Sequence, residues 1–135
     1  MQENEEKLNP RTIVIQKLYS HRLNKDSELY FPKHRYKKFI KDVVIGTIER
    51  EELIQNLINK ELKGDINENK TELLVKLMII AAIYEFMFMH KTPVKVIIAE
   101  YLKVSDSFTE HSQKKFLNAI LDKASKISRV SDVIN

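Results

Sequence analysis

Residues 73–89, LLVKLMIIAAIYEFMFM, form the longest apolar stretch of the chain. Charged side chains interrupt it only at Lys76 and Glu85, so a helix formed here is apolar nearly all round. The stretch falls short of the roughly 20 apolar residues that a membrane-spanning helix needs. It therefore predicts a buried central helix that runs to about His90. A lone buried carboxylate is costly, so we expect Glu85 to be paired or to lie at a partner surface.

The segments before this stretch also have helical patterns. Asn9 followed by Pro10 predicts the start of a first helix over 10–24, because Asn caps free N–H groups and Pro fits the first turn. Apolar residues at 3/4 spacing predict a long helix, or two end to end, over 33–62. Several capping residues in 67–71 then precede the central helix.

Two further helices are predicted after the central stretch. Thr92 and Pro93 predict a cap and a first-turn proline, followed by one clean apolar stripe. Ser107 and Glu110 have the spacing of a capping box, which predicts the start of the last helix. The pattern fades after Arg129.

The composition agrees with a helical domain. The chain has 135 residues, 43% of them apolar and 31% charged, which is typical of one globular domain. It has only 2 glycines and 3 prolines, few for the many turns of an all-β protein. We therefore predict an all-α fold, a compact bundle of five to seven helices. The domain boundaries are predicted as a disordered tail over 1–8, one domain over 9–129 and a frayed tail over 130–135.

Catalytic and metal-binding patterns are missing from the sequence. Without cysteine there is no disulfide, no Cys-ligated metal and no Cys nucleophile. The four histidines stand far apart and there is no glycine-rich phosphate loop. We therefore predict no catalytic residue, no metal and no cofactor. The first ten residues, MQENEEKLNP, lack the apolar run of a secretory signal, which favours a cytoplasmic protein.

The charge pattern points to a polyanion as partner. The chain is basic at its beginning, acidic in its middle and basic at its end, with a net charge of +4. Residues 33–41, KHRYKKFIK, mix cations with aromatic rings, and residues 113–118, QKKFLN, place two lysines beside an aromatic and an amide. Either cluster suits single-stranded RNA. The alternative is that both are solvated helix surfaces and that Phe116 belongs to the core.

Several short segments, taken together, resemble those of a known protein family. The matching residues are Arg11 with Val14-x-Gln16-x-Leu18-Tyr19, Phe39 followed by Gly46, Ile83-Tyr84-Glu85-Phe86, Pro93 with Val96 and Glu100, Ser107-Phe108, and KFLNAILDK over 115–123. In this order and spacing they resemble the NusB family of bacterial transcription antitermination factors, from Arg11 to Arg129.

The resemblance implies two three-helix bundles, no catalysis, and a complex with the small-subunit ribosomal protein that acts as NusE. The pair would bind boxA RNA of ribosomal RNA operon leaders, and other Nus factors and RNA polymerase would join indirectly. The implied RNA contacts are Lys7, Arg11, Tyr19, Lys114, Lys115, Phe116 and Asn118. The implied protein-partner contacts, taken as exposed positions, are Tyr84, Glu85 and Lys95.

This sequence departs from the family pattern at its start. It has Lys7-Leu8-Asn9-Pro10 and then Arg11, where family members often have several arginines, so its electrostatic attraction to RNA is expected to be smaller. It also has Ile80, Ala99 and Ala119 where the family commonly has Arg, Asn and Gly. We hypothesise that the 33–41 cluster compensates.

Other functions stay open from the sequence. One is a helical protein-interaction module that kept the fold but lost RNA binding. Another is a detached RNA-binding domain related to those fused to RNA methyltransferases. A homodimer is also possible, because Tyr84 and residues 87–89 leave apolar surface near a helix end.

Overall fold

The computed structural model describes residues 8–67 and 71–129, and these fold into α-helices without a strand. The six helices are α1 Pro10–Leu23, α2 Lys37–Glu49, α3 Glu51–Glu61, α4 Leu73–Phe88, α5 Val94–Phe108 and α6 His111–Ser128. The predicted all-α fold is thus confirmed. The predicted tails lie outside the described residues except for Leu8, which packs against the core.

Helix α4 is the centre of the molecule. Every residue from Val75 to Phe86 except Lys76 is buried, and α4 packs against each of the other five helices. The prediction of a buried central helix is confirmed, although the helix ends at Phe88. Helices α4, α5 and α6 pack against one another in pairs, while α1, α2 and α3 cover the remaining sides of α4.

The helices before α4 begin close to where the sequence predicted them. Asn9 caps α1, because its side-chain oxygen accepts a hydrogen bond from the Arg11 N–H at 2.9 Å. The long pattern over 33–62 is two helices, α2 and α3, which meet at Arg50. Residues 33–36 form no helix: the His34 carbonyl accepts from the Lys37 N–H at 3.1 Å, and α2 begins at Lys37.

The predicted capping box is wrong. Ser107 lies inside α5, and α6 begins after Glu110, whose side chain makes no capping hydrogen bond. The reason lies at Thr109, whose N–H and hydroxyl both donate to the Ser105 carbonyl at 2.9 Å. These bonds give the Ser105 carbonyl at the end of α5 its hydrogen-bond partners. Helix α5 therefore continues through Ser107, and α6 begins about one turn later than the sequence pattern suggests.

Two other predicted caps also differ from the structure. Pro93 occupies the N-cap position of α5 rather than its first turn, and no side chain caps that helix. Glu72 is the N-cap of α4, again without a side-chain bond. Residues 68–70, which belong to the predicted capping segment, lie outside the described residues. The apolar packing of α4 thus fixes its start without help from a cap.

Arg129 ties the end of α6 to the end of α4. Its guanidinium donates to the carbonyls of Phe86 at 2.8 Å, Thr92 at 2.7 Å, Glu85 at 3.1 Å and Met89 at 3.2 Å. The last carbonyls of a helix have no partner inside the helix, so this arginine supplies one. Among the described residues, no helix is both long and apolar enough to cross a membrane.

Candidate nucleic-acid interface

Three helices meet at a buried charged cluster formed by Arg11, Glu85 and Tyr101. The Arg11 guanidinium donates to both oxygens of Glu85, from Nε at 2.9 Å and from Nη2 at 2.6 Å. The Tyr101 hydroxyl donates to the same carboxylate at 2.5 Å. Arg11 also lies over the ring of Phe39, 4.7 Å from its centroid. Glu85 and Tyr101 are 0% exposed and Arg11 is 7% exposed, so the cluster fastens α1 to α4 and α5.

The burial of this cluster changes its proton affinities. Burial lowers the pKa of Arg11, but the hydrogen bonds and negative charge of Glu85 outweigh it, and the net pKa is raised. Burial raises the pKa of Tyr101 well above its ordinary value, and the charge of Glu85 raises it further. Arg11 is therefore cationic and Tyr101 carries its proton at neutral pH.

The structure corrects the placement of three residues that the sequence treated as contacts. The prediction that Glu85 is paired is confirmed, but Glu85 is not an exposed partner residue. Tyr84 is only 8% exposed, because its ring covers α2 at Gly46, where a Cβ atom would overlap it. Burial raises the pKa of the Tyr84 hydroxyl. Arg11 directs its guanidinium at Glu85 and Phe39, so its use as an RNA contact requires leaving these partners.

The first two turns of α6 carry the other predicted RNA contacts. Lys115 and Asn118 are exposed and lie one turn apart, on the same face of the helix. Lys114 is partly exposed and its Nζ lies 3.0 Å from an oxygen of Asp106 at the end of α5. Phe116 is half-buried and packs against the core, which agrees with the alternative interpretation of this ring. Among the described residues Lys115 has no ion pair, so the α6 start presents one unpaired lysine and an amide beside a paired lysine.

The remaining predicted contacts lie apart from that helix start. Tyr19 is 37% exposed on α1. Lys95 is exposed at the start of α5, next to Val96, an apolar side chain that is 46% exposed. Lys7 lies outside the described residues. Near the end of α4, Phe88 is 40% exposed beneath the guanidinium of Arg50, 4.6 Å from the ring centroid.

The 33–41 cluster divides between two faces of the molecule. Tyr36 and Phe39 line a surface pocket at the start of α1. Lys41 instead lines a pocket between α2 and the end of α4, together with Tyr84 and Met89. Lys38 pairs with Asp42 at 2.7 Å. The residues of the cluster therefore do not line a single pocket.

Sequence reasoning missed the roles of Tyr101 and Arg129. Tyr101 belonged to the apolar stripe of α5, and its spacing alone did not indicate a hydroxyl that bonds a carboxylate. A buried Glu85 was a signal that some partner existed, but not which one. In the described part of the chain, no group of three or more His, Cys, Asp or Glu side chains is arranged to hold a metal ion.

Known proteins of one family are similar to this chain. The model of the NusB family matches residues 8–126, which is most of the chain. The chain belongs to the NusB family. Among curated relatives, the transcription antitermination protein NusB of Mesorhizobium japonicum is 26% identical over 78% of this chain and 68% of its own length. NusB of Allorhizobium ampelinum is 26% identical over 89% of this chain and 75% of its own length.

A solved structure of T. maritima NusB has the same fold. Its TM-score with this chain is 0.75 at 22% sequence identity, covering 90% of this chain and 92% of the T. maritima chain. The fold implied by the resemblance is thereby confirmed. Within this fold, α4 packs against the other five helices, and the Arg11–Glu85 pair joins α1 to α4.

Proposed function

We propose that this NusB-family chain is an RNA-binding transcription antitermination factor. It acts in the cytoplasm, pairs with the small-subunit ribosomal protein that serves as NusE, and binds boxA RNA of ribosomal RNA leaders. The observation that carries the proposal is the α6 start, where Lys115 and Asn118 are exposed on one face. A lysine neutralises a phosphate, an amide bonds base edges, and the positive end of the helix dipole favours an anion.

The remaining predicted contacts have unequal places in this proposal. Tyr19 supplies an exposed aromatic edge, and Lys114 contributes once it leaves Asp106. Phe116 supports the α6 start from below and offers RNA only part of its ring. Arg11 acts indirectly, by fixing α1 against α4. Lys7, which lies outside the described residues, is a further phosphate contact in this proposal. For the ribosomal protein, Lys95 and the exposed Val96 on α5 form the docking surface, while Tyr84 and Glu85 support it from within.

The test is fluorescence anisotropy of a labelled boxA-type RNA, titrated with this protein alone and with the ribosomal partner. We expect tighter binding with the partner, a preference over a scrambled RNA, and an affinity that falls steeply with salt. Lys115→Gln should weaken binding and reduce the salt slope by about 0.7, the value for one phosphate contact on a single strand. Lys60→Gln, an exposed lysine of α3, is the matched control with the same loss of charge.

A second candidate is a protein-interaction module that has lost RNA binding. The observations that favour it are the internal pairing of Arg11 and the pairing of Lys114 with Asp106, which leave fewer free cations for RNA. Its expected result is complex formation with the ribosomal partner, measured by calorimetry, while boxA RNA and scrambled RNA both fail to bind. Sequence-preferring binding of boxA RNA would reject it.

A further inference from the structure

A surface pocket lies where the start of α2 meets the start of α1 and the middle of α5. It has a volume of about 300 Å³, at the small end of ligand-binding pockets. Its lining consists of Pro10, Arg11, Tyr36, Phe39 and Glu100. This pocket belongs neither to the α6 start nor to the α5 surface described above.

The aromatic side of the pocket is held in place by the turn before α2. The His34 ring accepts a hydrogen bond from the Tyr36 N–H at Nδ1 and donates from Nε2 to the Leu8 carbonyl, both at 2.9 Å. Tyr36 is nevertheless 48% exposed, and the Arg35 guanidinium lies 5.4 Å from the centroid of its ring. An exposed ring on an ordered backbone suits stacking of an unpaired base, because little order is lost on binding.

Basic residues flank Tyr36, a lining residue of the pocket, in the sequence. Lys33, Arg35 and Lys37 are exposed, and none of them has a carboxylate within ion-pair distance among the described residues. Lys38 differs, since it is paired with Asp42. Helix α2 also begins here without a side-chain cap. Unpaired cations beside an uncapped helix start favour phosphate groups.

One carboxylate, that of Glu100, lines the pocket. It lies 3.9 Å from Arg11 Nη1 and 3.1 Å from Lys103 Nζ, and its side chain is 25% exposed. A carboxylate accepts hydrogen bonds from the exocyclic amino group of a base, as it does from cytosine N4. Uracil has no such group. A nucleotide offers a phosphate to the lysines and a base amino group to Glu100, so the combination favours RNA.

We propose that this pocket binds one nucleotide of single-stranded RNA whose base bears an exocyclic amino group. The base stacks on Tyr36 and donates to Glu100, and the flanking phosphates contact Lys33 and Lys37. The proposal rests on the RNA-binding function proposed above and adds a second RNA contact site with a base preference. It also gives the 33–41 cluster a specific role at its first half.

The test compares labelled oligocytidine and oligouridine of equal length, bound to the full chain in a salt series. We expect oligocytidine to bind more tightly. Tyr36→Ala should lower its affinity by roughly tenfold, which corresponds to about 1.4 kcal/mol and lies within the range for one stacked base. Tyr30→Ala is the matched control, because Tyr30 is 73% exposed in the loop between α1 and α2 and lies outside the pocket. Circular dichroism checks that each variant is folded.

Two further variants separate base reading from phosphate binding. Glu100→Gln should narrow the preference for oligocytidine, because an amide can also donate to uracil O4. Lys33→Gln should weaken the binding of both RNAs equally and reduce the slope of log affinity against log salt concentration by about 0.7. Equal affinities for the two RNAs, or unchanged binding by Tyr36→Ala, overturn the pocket proposal. If Lys115→Gln still weakens boxA binding, the proposed function survives that result, whereas no RNA binding at all rejects both proposals.

Discussion

Arg11 and Lys115 are both cations near a helix start, but Arg11 lies in the interior and Lys115 lies on the surface. Arg11 is 7% exposed and donates to Glu85 through two nitrogens, whereas Lys115 is exposed without an ion pair in the described chain. A charge in the interior depends on its partner, because it has lost its water. A charge at the surface keeps its water, so it is free to exchange that water for a phosphate.

The comparison teaches that a functional residue is defined by its surroundings more than by its position in a motif. Both residues lie in segments that resemble the family, and both are implied RNA contacts. Only Lys115 is in a position to touch RNA without rearrangement of the core. We therefore expect substitutions of the Arg11 cluster to change folding stability and substitutions of the α6 start to change binding.

The largest effect is expected from Glu85→Ala, which removes the centre of the interior cluster. Arg11 would remain buried without its carboxylate and the Tyr101 hydroxyl without its acceptor. Breaking a buried pair from one side costs about 3–5 kcal/mol, and urea denaturation measures it as a loss in the free energy of unfolding. Lys115→Ala should change that free energy by less than about 0.5 kcal/mol.

A triple variant tests the reason for that loss. The variant combines Arg11→Met, Glu85→Leu and Tyr101→Phe, so that apolar side chains replace the charged cluster. In other proteins, replacing a buried ion pair by apolar residues of similar volume is often neutral or stabilising. We expect it to be more stable than Glu85→Ala alone. A triple variant less stable than the single one would mean that the cluster itself, and not its unpaired remainder, determines stability.

Arg129→Met tests a cation whose burial lies between that of Arg11 and that of Lys115. Arg129 is half-buried, and its loss leaves the last carbonyls of α4 without these hydrogen bonds. We expect the free energy of unfolding to fall by about 1–3 kcal/mol. Lys126→Met is the matched control, since Lys126 is 74% exposed and its ion pair with Asp122 lies within its own helix. Equal stability of the two variants would contradict a capping role for Arg129.

The fold was largely predictable because its main signal is local. The 73–89 stretch is apolar on every side, and a helix of that kind has to be the centre of a bundle. The helix ends were less predictable. Ser107 and Glu110 fit a capping box in the sequence, but Thr109 donates to the Ser105 carbonyl and α5 continues to Phe108. Caps compete with such neighbouring bonds, and spacing does not reveal which one forms.

The candidate site was predictable in part. Lys115 and Asn118 are exposed, as an interface requires, because the apolar stripe of α6 places them on the outer face. The partner of Glu85 was not predictable, since Arg11 is 74 residues away and Tyr101 lies within an apolar stripe. Glu100 beside Tyr36 is likewise a product of tertiary packing. Contacts between distant segments leave no spacing signal in a single sequence.

The pH dependence of stability offers a finer test of the interior cluster. Because the pKa of Tyr101 is raised, its folded form keeps the proton above the ordinary value near 10, where the unfolded chain loses it. The contribution of Tyr101 protonation to the free energy of unfolding is therefore fully present below about pH 10 and is lost as the pH rises. We expect Tyr101→Phe to remove up to about 1 kcal/mol of the stability loss seen between pH 10 and 11. Tyr30→Phe is the control, and an identical alkaline loss in both variants would contradict the proton-retaining role of Tyr101.

The smallest effect is expected at the surface pair of Lys114 and Asp106. Exposed ion pairs contribute between about 0 and 1 kcal/mol, so Asp106→Asn should leave the free energy of unfolding nearly unchanged. The same substitution frees Lys114 and removes a negative charge beside the proposed RNA contacts, so boxA affinity should rise by about twofold. Asp122→Asn is the matched control, because Asp122 pairs with Lys126 further along α6. An equal rise for both variants would indicate a general effect of net charge. A rise confined to Asp106→Asn would mean that a lysine contributes to RNA binding only to the extent that the protein leaves it unpaired.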